Sequence, residues 1–327
     1  MKQLYIIDFS NFAYKFKSVY TYARRDVNGV QVDTSVLVGF IRCLKANLAD
    51  DIAIVLDGVP TQSNSVLPSY KGQRINDDLS TVIGVPKLEV IKFLTKIGPL
   101  IGKNIVVLCS PGQETDEVVS SMVHHITGHL PNRHLFISRL NTKPLESDRM
   151  LKYLTGDKYQ VSQYVPNCEG AIIASTDGDF IQLQRWNNVC IDTSSSGKEI
   201  SNTRTSKSTS QLTPIASIAY KAIYGDVSDN IPANKLPWKK DDVIRLLNES
   251  LKTEDDLNKF KESISNGNFI SLSGQVLKVA KYLNESCKKQ FEINWTVAFL
   301  TFRSYPLKIE YPDYDIKDTI ERYKLKV

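Results

Sequence analysis

Short apolar runs alternate with amphipathic stretches over the first two-thirds of the chain. Leu4–Asp8, Ile52–Asp57, Ile105–Cys109, Ala171–Ala174 and Val189–Asp192 read as buried strands. Between them, Ser35–Leu48 carries apolar residues at helical spacing (Val36, Val38, Phe40, Ile41, Leu44). Lys87–Ile97, Glu114–Ile126 and the shorter Asp179–Gln184 also read as helices. Continuously apolar strands alternating with helices predict an α/β fold whose parallel sheet is covered on both faces. Residues Thr193–Ser210, rich in Ser, Thr, Lys and Gly, read as a connector. Beyond it, residues 215–290 are helical in pattern, with charged clusters at Lys239–Asp242 and Glu254–Asp256. This places a boundary near residue 212, with a sheet domain over 1–212 and a smaller, mainly helical C-terminal domain over 213–327. Val297–Phe302 is strand-like, and the tail with Pro306 and Pro312 is expected to wrap back over the body.

Composition narrows the class. With 327 residues and 42% apolar content, the chain buries a substantial core without disulfides or a structural metal. No apolar run reaches the roughly 18 residues of a membrane span. Asp8 interrupts the first apolar stretch, which argues against a signal peptide. The five scattered cysteines contain no CxxC, so a zinc ribbon and a disulfide framework are both unfavoured. A reducing, cytoplasmic compartment is expected. The charge of +5, from 41 basic and 36 acidic residues, matters mainly through where the acids sit.

They sit at strand ends. Asp8 closes the first strand and Asp57 the second; Asp177 and Asp179 follow Ala171–Ala174; Glu114, Asp116 and Glu117 open the helix after Ile105–Cys109. In a parallel sheet these positions share one edge. Asp226 and Asp229, in Gly225-Asp-Val-Ser-Asp-Asn230, are candidates to join them from the helical part. Taken singly, an Asp after a strand is a turn or cap residue, and acids at a helix start favour its dipole. Jointly, carboxylates a few Å apart raise one another's pKa or demand a cation. Hard divalent ions with oxygen ligands meet that demand, Mg²⁺ best, with Mn²⁺ able to substitute. Two such ions support phosphodiester hydrolysis. With these acids set aside, the rest of the chain is markedly basic, as suits a phosphate-backbone substrate.

Six segments, in order over residues 4–232, resemble the motifs of the 5′ nuclease (flap endonuclease) superfamily with its PIN-like core. They are Tyr5-Ile-Ile-Asp8-Phe-Ser-Asn11, Ile54-Val-Leu-Asp57, Tyr70-Lys71-Gly-Gln-Arg74, Glu114-Thr-Asp116-Glu117, Ser175-Thr-Asp177-Gly-Asp179-Phe-Ile-Gln182-Leu183 and Gly225-Asp226-Val-Ser-Asp229-Asn-Ile-Pro232. The resemblance implies a Mg²⁺-dependent 5′→3′ exonuclease or flap endonuclease with RNase H-type primer removal in phage DNA replication. Two-metal-ion hydrolysis would leave a 5′-phosphate and a 3′-hydroxyl. Asp8, Asp57, Glu114 and Asp116 would hold the first ion, and Asp177, Asp179, Asp226 and Asp229 would shape the second. Glu117 stands at a position that varies in the family, as an additional ligand or a support. Lys71 and Arg74 would contact the scissile phosphate, and Tyr70 would stack on an unpaired terminal base. Implied partners are DNA and RNA–DNA hybrids with 5′ ends or flaps, and a single-strand binding protein or sliding clamp; no membrane is implied.

The chain departs from the family in three places. The glycine-containing hairpin that normally follows the last motif is replaced by Ala233-Asn-Lys235-Leu-Pro-Trp-Lys239-Lys240. Its lysines are either side-chain phosphate contacts or an ordinary solvated turn. Residues 128–170 form an extended link, and the arch region, about 70–100, is short. Three rivals stay open: a PIN-like single-strand ribonuclease, a non-catalytic nucleic-acid-binding subunit and a two-metal phosphatase. His124, His125 and His129 lack an HExxH pattern, which disfavours zinc.

Overall fold

The computed structural model describes residues 2–58, 61–70, 84–110, 112–128, 168–194, 212–300 and 307–327. Six strands form one sheet: β1 (Gln3–Asp8), β4 (Asp51–Val55), β5 (Asn104–Cys109), β6 (Gly170–Ala174), β7 (Val189–Asp192) and β8 (Leu307–Lys308). Their order is β7-β6-β1-β4-β5-β8, parallel throughout except for β8, which pairs antiparallel with β5. Strands β2 (Arg24–Val27) and β3 (Val30–Asp33) form a separate hairpin, closed by Asn28 and Gly29, both at positive φ.

Strand periodicity splits the interior into two layers. Tyr5, Ile7, Ile52 and Ile54 face α1 (Phe9–Val19), α2 (Ser35–Ala46) and α4 (Lys87–Lys96), through Phe12, Phe40 and Phe93 among others. Leu4, Ile6, Ala53 and Val55 face the other way, onto Val119 and Met122 of α5 (Thr115–Ile126) and Phe180 of a 3₁₀ helix (Gly178–Arg185). The short α3 (Thr61–Val66) lies between β4 and the arch region.

A further apolar cluster lies within 212–299. It joins α6 (Pro214–Tyr224), α7 (Lys240–Ser250), α8 (Glu254–Asn266), α9 (Gly274–Tyr282) and α10 (Lys288–Ala298) around Phe260, Leu247 and Phe291. The strand read over Val297–Phe302 does not form at its start. Helix α10 runs on through Ala298, because Phe291 and Trp295 are buried one helical turn apart on its inner face. The chain then returns to the sheet. Gln182, fully buried, donates to the Ala298 carbonyl (3.0 Å) and accepts from the Leu300 N–H (3.2 Å). The C-terminal segment packs with the sheet layer: Ile309, Tyr311, Tyr323 and Leu325 join the α1–α2–α4 core. Thr319 and Tyr323, flanking the end of α11 (Ile316–Arg322), donate to Glu89 of α4. Among the described residues, no helix is long and apolar enough to cross a membrane.

Candidate metal centre

The parallel register brings the strand ends to one edge, and each candidate acid there is held by local donors. Asp8 ends β1 and caps α1, accepting from the Asn11 N–H (3.1 Å) and from Ser175 Oγ (3.0 Å). Burial pushes the Asp8 carboxyl well above the usual carboxylate range, and the charges of Asp57 and Asp177 push it further. Asp57 accepts from Ser10 Oγ (2.5 Å) and the Thr115 N–H (3.1 Å), which ties the β4 end to the start of α5. Asp177 caps the 3₁₀ helix by accepting from the Asp179 N–H (2.9 Å), and its own N–H donates to Ser175 Oγ (3.1 Å). Glu114 caps α5, and Asp116 lies in the first turn, where its Oδ1 accepts from the Glu117 N–H (2.8 Å).

Glu117 is committed to structure. Its carboxylate accepts from the Glu114 N–H (3.2 Å), closing a capping box, and from Ser63 Oγ of α3 (3.1 Å). This is a supporting position behind Glu114. Tyr70 departs from the expectation of a base-stacking platform. Its ring is buried with Leu67, Ile231, Val297 and Ala298, and its hydroxyl donates to Glu114 Oε2 (2.9 Å). With its faces packed against aliphatic side chains, the ring presents no open surface to a base. Burial, with the charges of Asp116, Glu114 and Asp229, drives the Tyr70 hydroxyl far upward, so it stays a donor. Lys71 and Arg74 lie outside the described residues, as do 129–167 of the extended link and 71–83 of the arch region.

The Gly225–Pro232 motif folds as a tight loop that carries two acids to the sheet edge. The Asp226 N–H donates to the Ile231 carbonyl (3.0 Å), and the reverse bond is 2.8 Å. Asp226 Oδ1 accepts from the Ser228 N–H (2.9 Å) and Oγ (2.5 Å). Two asparagines brace the loop. Asn234 donates to the Ala222 and Ile223 carbonyls, and buried Asn294 of α10 donates to Ala222 (3.1 Å) and Pro232 (2.7 Å). Asn230 reaches the Ser69 carbonyl (2.7 Å), joining the loop to the segment before the arch.

Among the described residues, Asp179, Asp226 and Asp229 each offer a carboxylate oxygen within 4.8 Å of the others. The expected first-ion set of Asp8, Asp57, Glu114 and Asp116 is not drawn that close as a group; hydroxyl and N–H donors hold its members individually. The all-oxygen donor set and the repulsion felt at Asp8 fit a hard divalent cation. Sequence reasoning passed over Lys221. It projects from the apolar helix α6 and donates to Asp179 Oδ1 and to Asp226 Oδ2 (3.0 Å), with only 8% of its side chain exposed. Burial raises the Asp226 carboxyl, but the Lys221 ammonium and the Ser228 hydrogen bonds outweigh it and hold the group below its usual range. A lone lysine within Pro214-Ile-Ala-Ser-Ile-Ala-Tyr-Lys-Ala-Ile-Tyr224 was the available signal.

The lysines after the motif, Lys235, Lys239 and Lys240, are all exposed. Lys240 stands over the rings of Tyr220 (5.1 Å) and Tyr224 (5.6 Å), so its charge lies against the aromatic face of α6. His124 is buried beside Trp186, with Nδ1 2.8 Å from the Ser120 carbonyl.

No family model matches the chain. No curated protein matches it by sequence either. Solved structures do match. The bacteriophage T5 D15 flap endonuclease in a pseudo-enzyme–product complex with DNA and metal ions is 18% identical, covering 91% of this chain and 89% of that one, with a TM-score of 0.51. The T5 5′-exonuclease with bound zinc is 17% identical over 91% and 89%, with a TM-score of 0.52. T5 D15 protein co-crystallised with metal ions is 16% identical over 91% and 90%, at 0.51. The chain shares the fold of these T5 nuclease structures, an α/β sheet of mostly parallel strands flanked by helices.

Proposed function

We propose that this chain is a divalent-metal-dependent 5′ nuclease that hydrolyses phosphodiesters near a 5′ end or a single-strand/duplex junction. The observation that carries the reading is the oxygen cluster of Asp179, Asp226 and Asp229, assembled from two distant segments beside the strand-end acids Asp8, Asp57 and Asp177. The fold shared with the T5 flap endonuclease supports it. Asp8, Asp57, Glu114 and Asp116 would hold one ion, and Asp177, Asp179, Asp226 and Asp229 would shape the region of a second. Mg²⁺ is the proposed cofactor, with Mn²⁺ able to substitute. When bound, the ions supply a water nucleophile at neutral pH and neutralise charge on the phosphate.

The chain's own residues do the positioning. Ser175 and Asn11 orient Asp8, Ser10 and Thr115 orient Asp57, and Tyr70 orients Glu114. Lys71 and Arg74 are proposed to offset the extra charge on the phosphate, and Lys235 and Lys239 to contact the duplex backbone. The products would be a 5′-phosphate and a 3′-hydroxyl. The proposed setting is removal of RNA primers and flaps during phage DNA replication in a bacterial cytoplasm, alongside a single-strand binding protein or clamp. The division at residue 212 is proposed to separate the acid-bearing sheet from the duplex-binding helices.

The test is cleavage of a labelled 5′-flap duplex in Mg²⁺, with single-stranded RNA and blunt duplex beside it and Asp177→Asn as control. Junction cleavage that vanishes in the variant is expected. Cutting of single-stranded RNA alone would replace this reading with a PIN-like ribonuclease. Junction binding without cleavage would favour a binding subunit.

A further inference from the structure

The second carboxylate set contains a cation of its own. Lys221 donates to both Asp179 and Asp226, two of the three acids whose oxygens lie within 4.8 Å of one another. Its place is fixed by α6, whose flanking residues Ile218, Ala219, Ala222 and Ile223 are all buried in the helical core. The Thr213 cap and the Asn234 and Asn294 bonds at the far end hold that helix in register with the acidic loop. Parting this ammonium from its partners while it stays in the interior would leave an uncompensated buried charge. It therefore remains beside the carboxylates when the cluster binds another ion.

Resting on the metal-dependent reading above, we propose that Lys221 is a resident counter-cation of the Asp179–Asp226–Asp229 cluster. It neutralises part of the cluster's charge, keeps Asp179 and Asp226 together, and makes this the weaker of the two divalent sites. The consequence is graded occupancy. One ion binds first beside Asp8 and Asp57, where the groups donating to the two carboxyls are hydroxyls and backbone N–H groups and not an ammonium. The lysine-occupied cluster fills only at higher metal concentration. Lys221 acts on the metal through Asp179 and Asp226 and is a positioning residue.

The test counts bound Mn²⁺ by electron paramagnetic resonance and calorimetry in the full chain, without substrate. Wild type is expected to bind one ion tightly and a second more weakly. Lys221→Gln should tighten the weaker site at least about tenfold, as removal of one positive charge adjacent to a divalent ion implies even at the dielectric of water, while the tight site is unchanged. Lys221→Arg, which keeps the charge, should titrate like wild type. In chelator, Lys221→Gln should melt below wild type, and Mn²⁺ should restore more of its stability than it adds to wild type. A second measurement uses folded wild type alone: with ¹³Cε-lysine labelling, the Lys221 resonance should shift with the weaker Mg²⁺ event and not with the tighter one.

Weaker binding in Lys221→Gln would make the lysine a clamp that builds the site, and would overturn the proposal. So would two equal sites in wild type, or a Lys221 resonance that moves with the first ion. Each of these leaves the nuclease reading intact. Absence of metal binding in every form would overturn both.

Discussion

Gly225 offers a sharp test of how the acidic loop is built. Its φ of 61° and ψ of −161° lie in a region almost closed to side chains. A Cβ there would stand 2.2 Å from the Ile231 carbonyl oxygen and 2.7 Å from that of Pro232. In Gly225→Ala the backbone strain costs about 1–3 kcal/mol. Relief of the collision requires the loop to open by roughly 1 Å, which breaks the Asp226–Ile231 pairing and strands buried polar groups at about 1–3 kcal/mol. The sum is about 2–6 kcal/mol. At about 2.1 cal/mol/K of unfolding entropy per residue, this lowers Tm by roughly 3–9 °C in a chain of 327 residues. Gly102 is the control. It also has positive φ (69°), but a Cβ there meets nothing within 4 Å. Gly102→Ala should cost about 1–2 kcal/mol and leave the site untouched. The assays are differential scanning calorimetry and Mn²⁺ titration of both variants. A fall in metal affinity in Gly225→Ala alone is expected. Equal Tm losses, or unchanged metal affinity in Gly225→Ala, would refute the claim that this crowded glycine shapes the acidic loop.

Three further outcomes are expected. Because the folded-state pKa of Asp8 is raised, the native chain retains a proton that the unfolded chain has released. Metal-free stability should therefore fall as pH rises from the ordinary carboxylate range to about 8, and a Tm–pH series in chelator that is flat or rising there would contradict this. Tyr70→Phe removes the hydroxyl donor from Glu114 and should cost about 1.5–3 kcal/mol, as for hydrogen bonds to charged groups, with the ring packing retained; urea denaturation reads it. Asn294→Ala should cost about 2 kcal/mol, chiefly by stranding the Pro232 carbonyl, since Asn234 still serves Ala222; the same urea series, run with and without Mn²⁺, checks that the loss spreads to metal affinity.

The strands and most helices were legible because their burial is periodic. Leu4–Asp8 and Ile52–Asp57 face helices on both sides of a parallel sheet, and only near-continuous apolar runs satisfy that position. Acids at strand ends were legible for a related reason: parallel strands must place their C-terminal ends on one edge, so chain position alone implied convergence. The hairpin at 24–33 escaped notice although Asn28-Gly29 is a strong turn signal, because its inner positions are only half-buried and are filled by Arg25 and Asp33 as well as Val27 and Val32, so no apolar alternation marks the strands.

What the sequence by itself determined, then, was the layered sheet, its acidic edge and the helical texture that follows. Which of those acids carry a cation, a cap or a hydroxyl was decided only by tertiary packing. Tyr70 was read as a platform for an unpaired base, and the apolar side chains of Leu67, Ile231, Val297 and Ala298 enclose it instead. Glu117 stood open between ligand and support, and Ser63 and the start of its own helix engage both of its oxygens. Lys221 was passed over in the sequence; the turn at Gly225 carries Asp226 back beside it and the sheet brings up Asp179. A carboxylate's role depends on donors within about 3 Å, and residues far apart in sequence reach that separation only when the whole chain has folded.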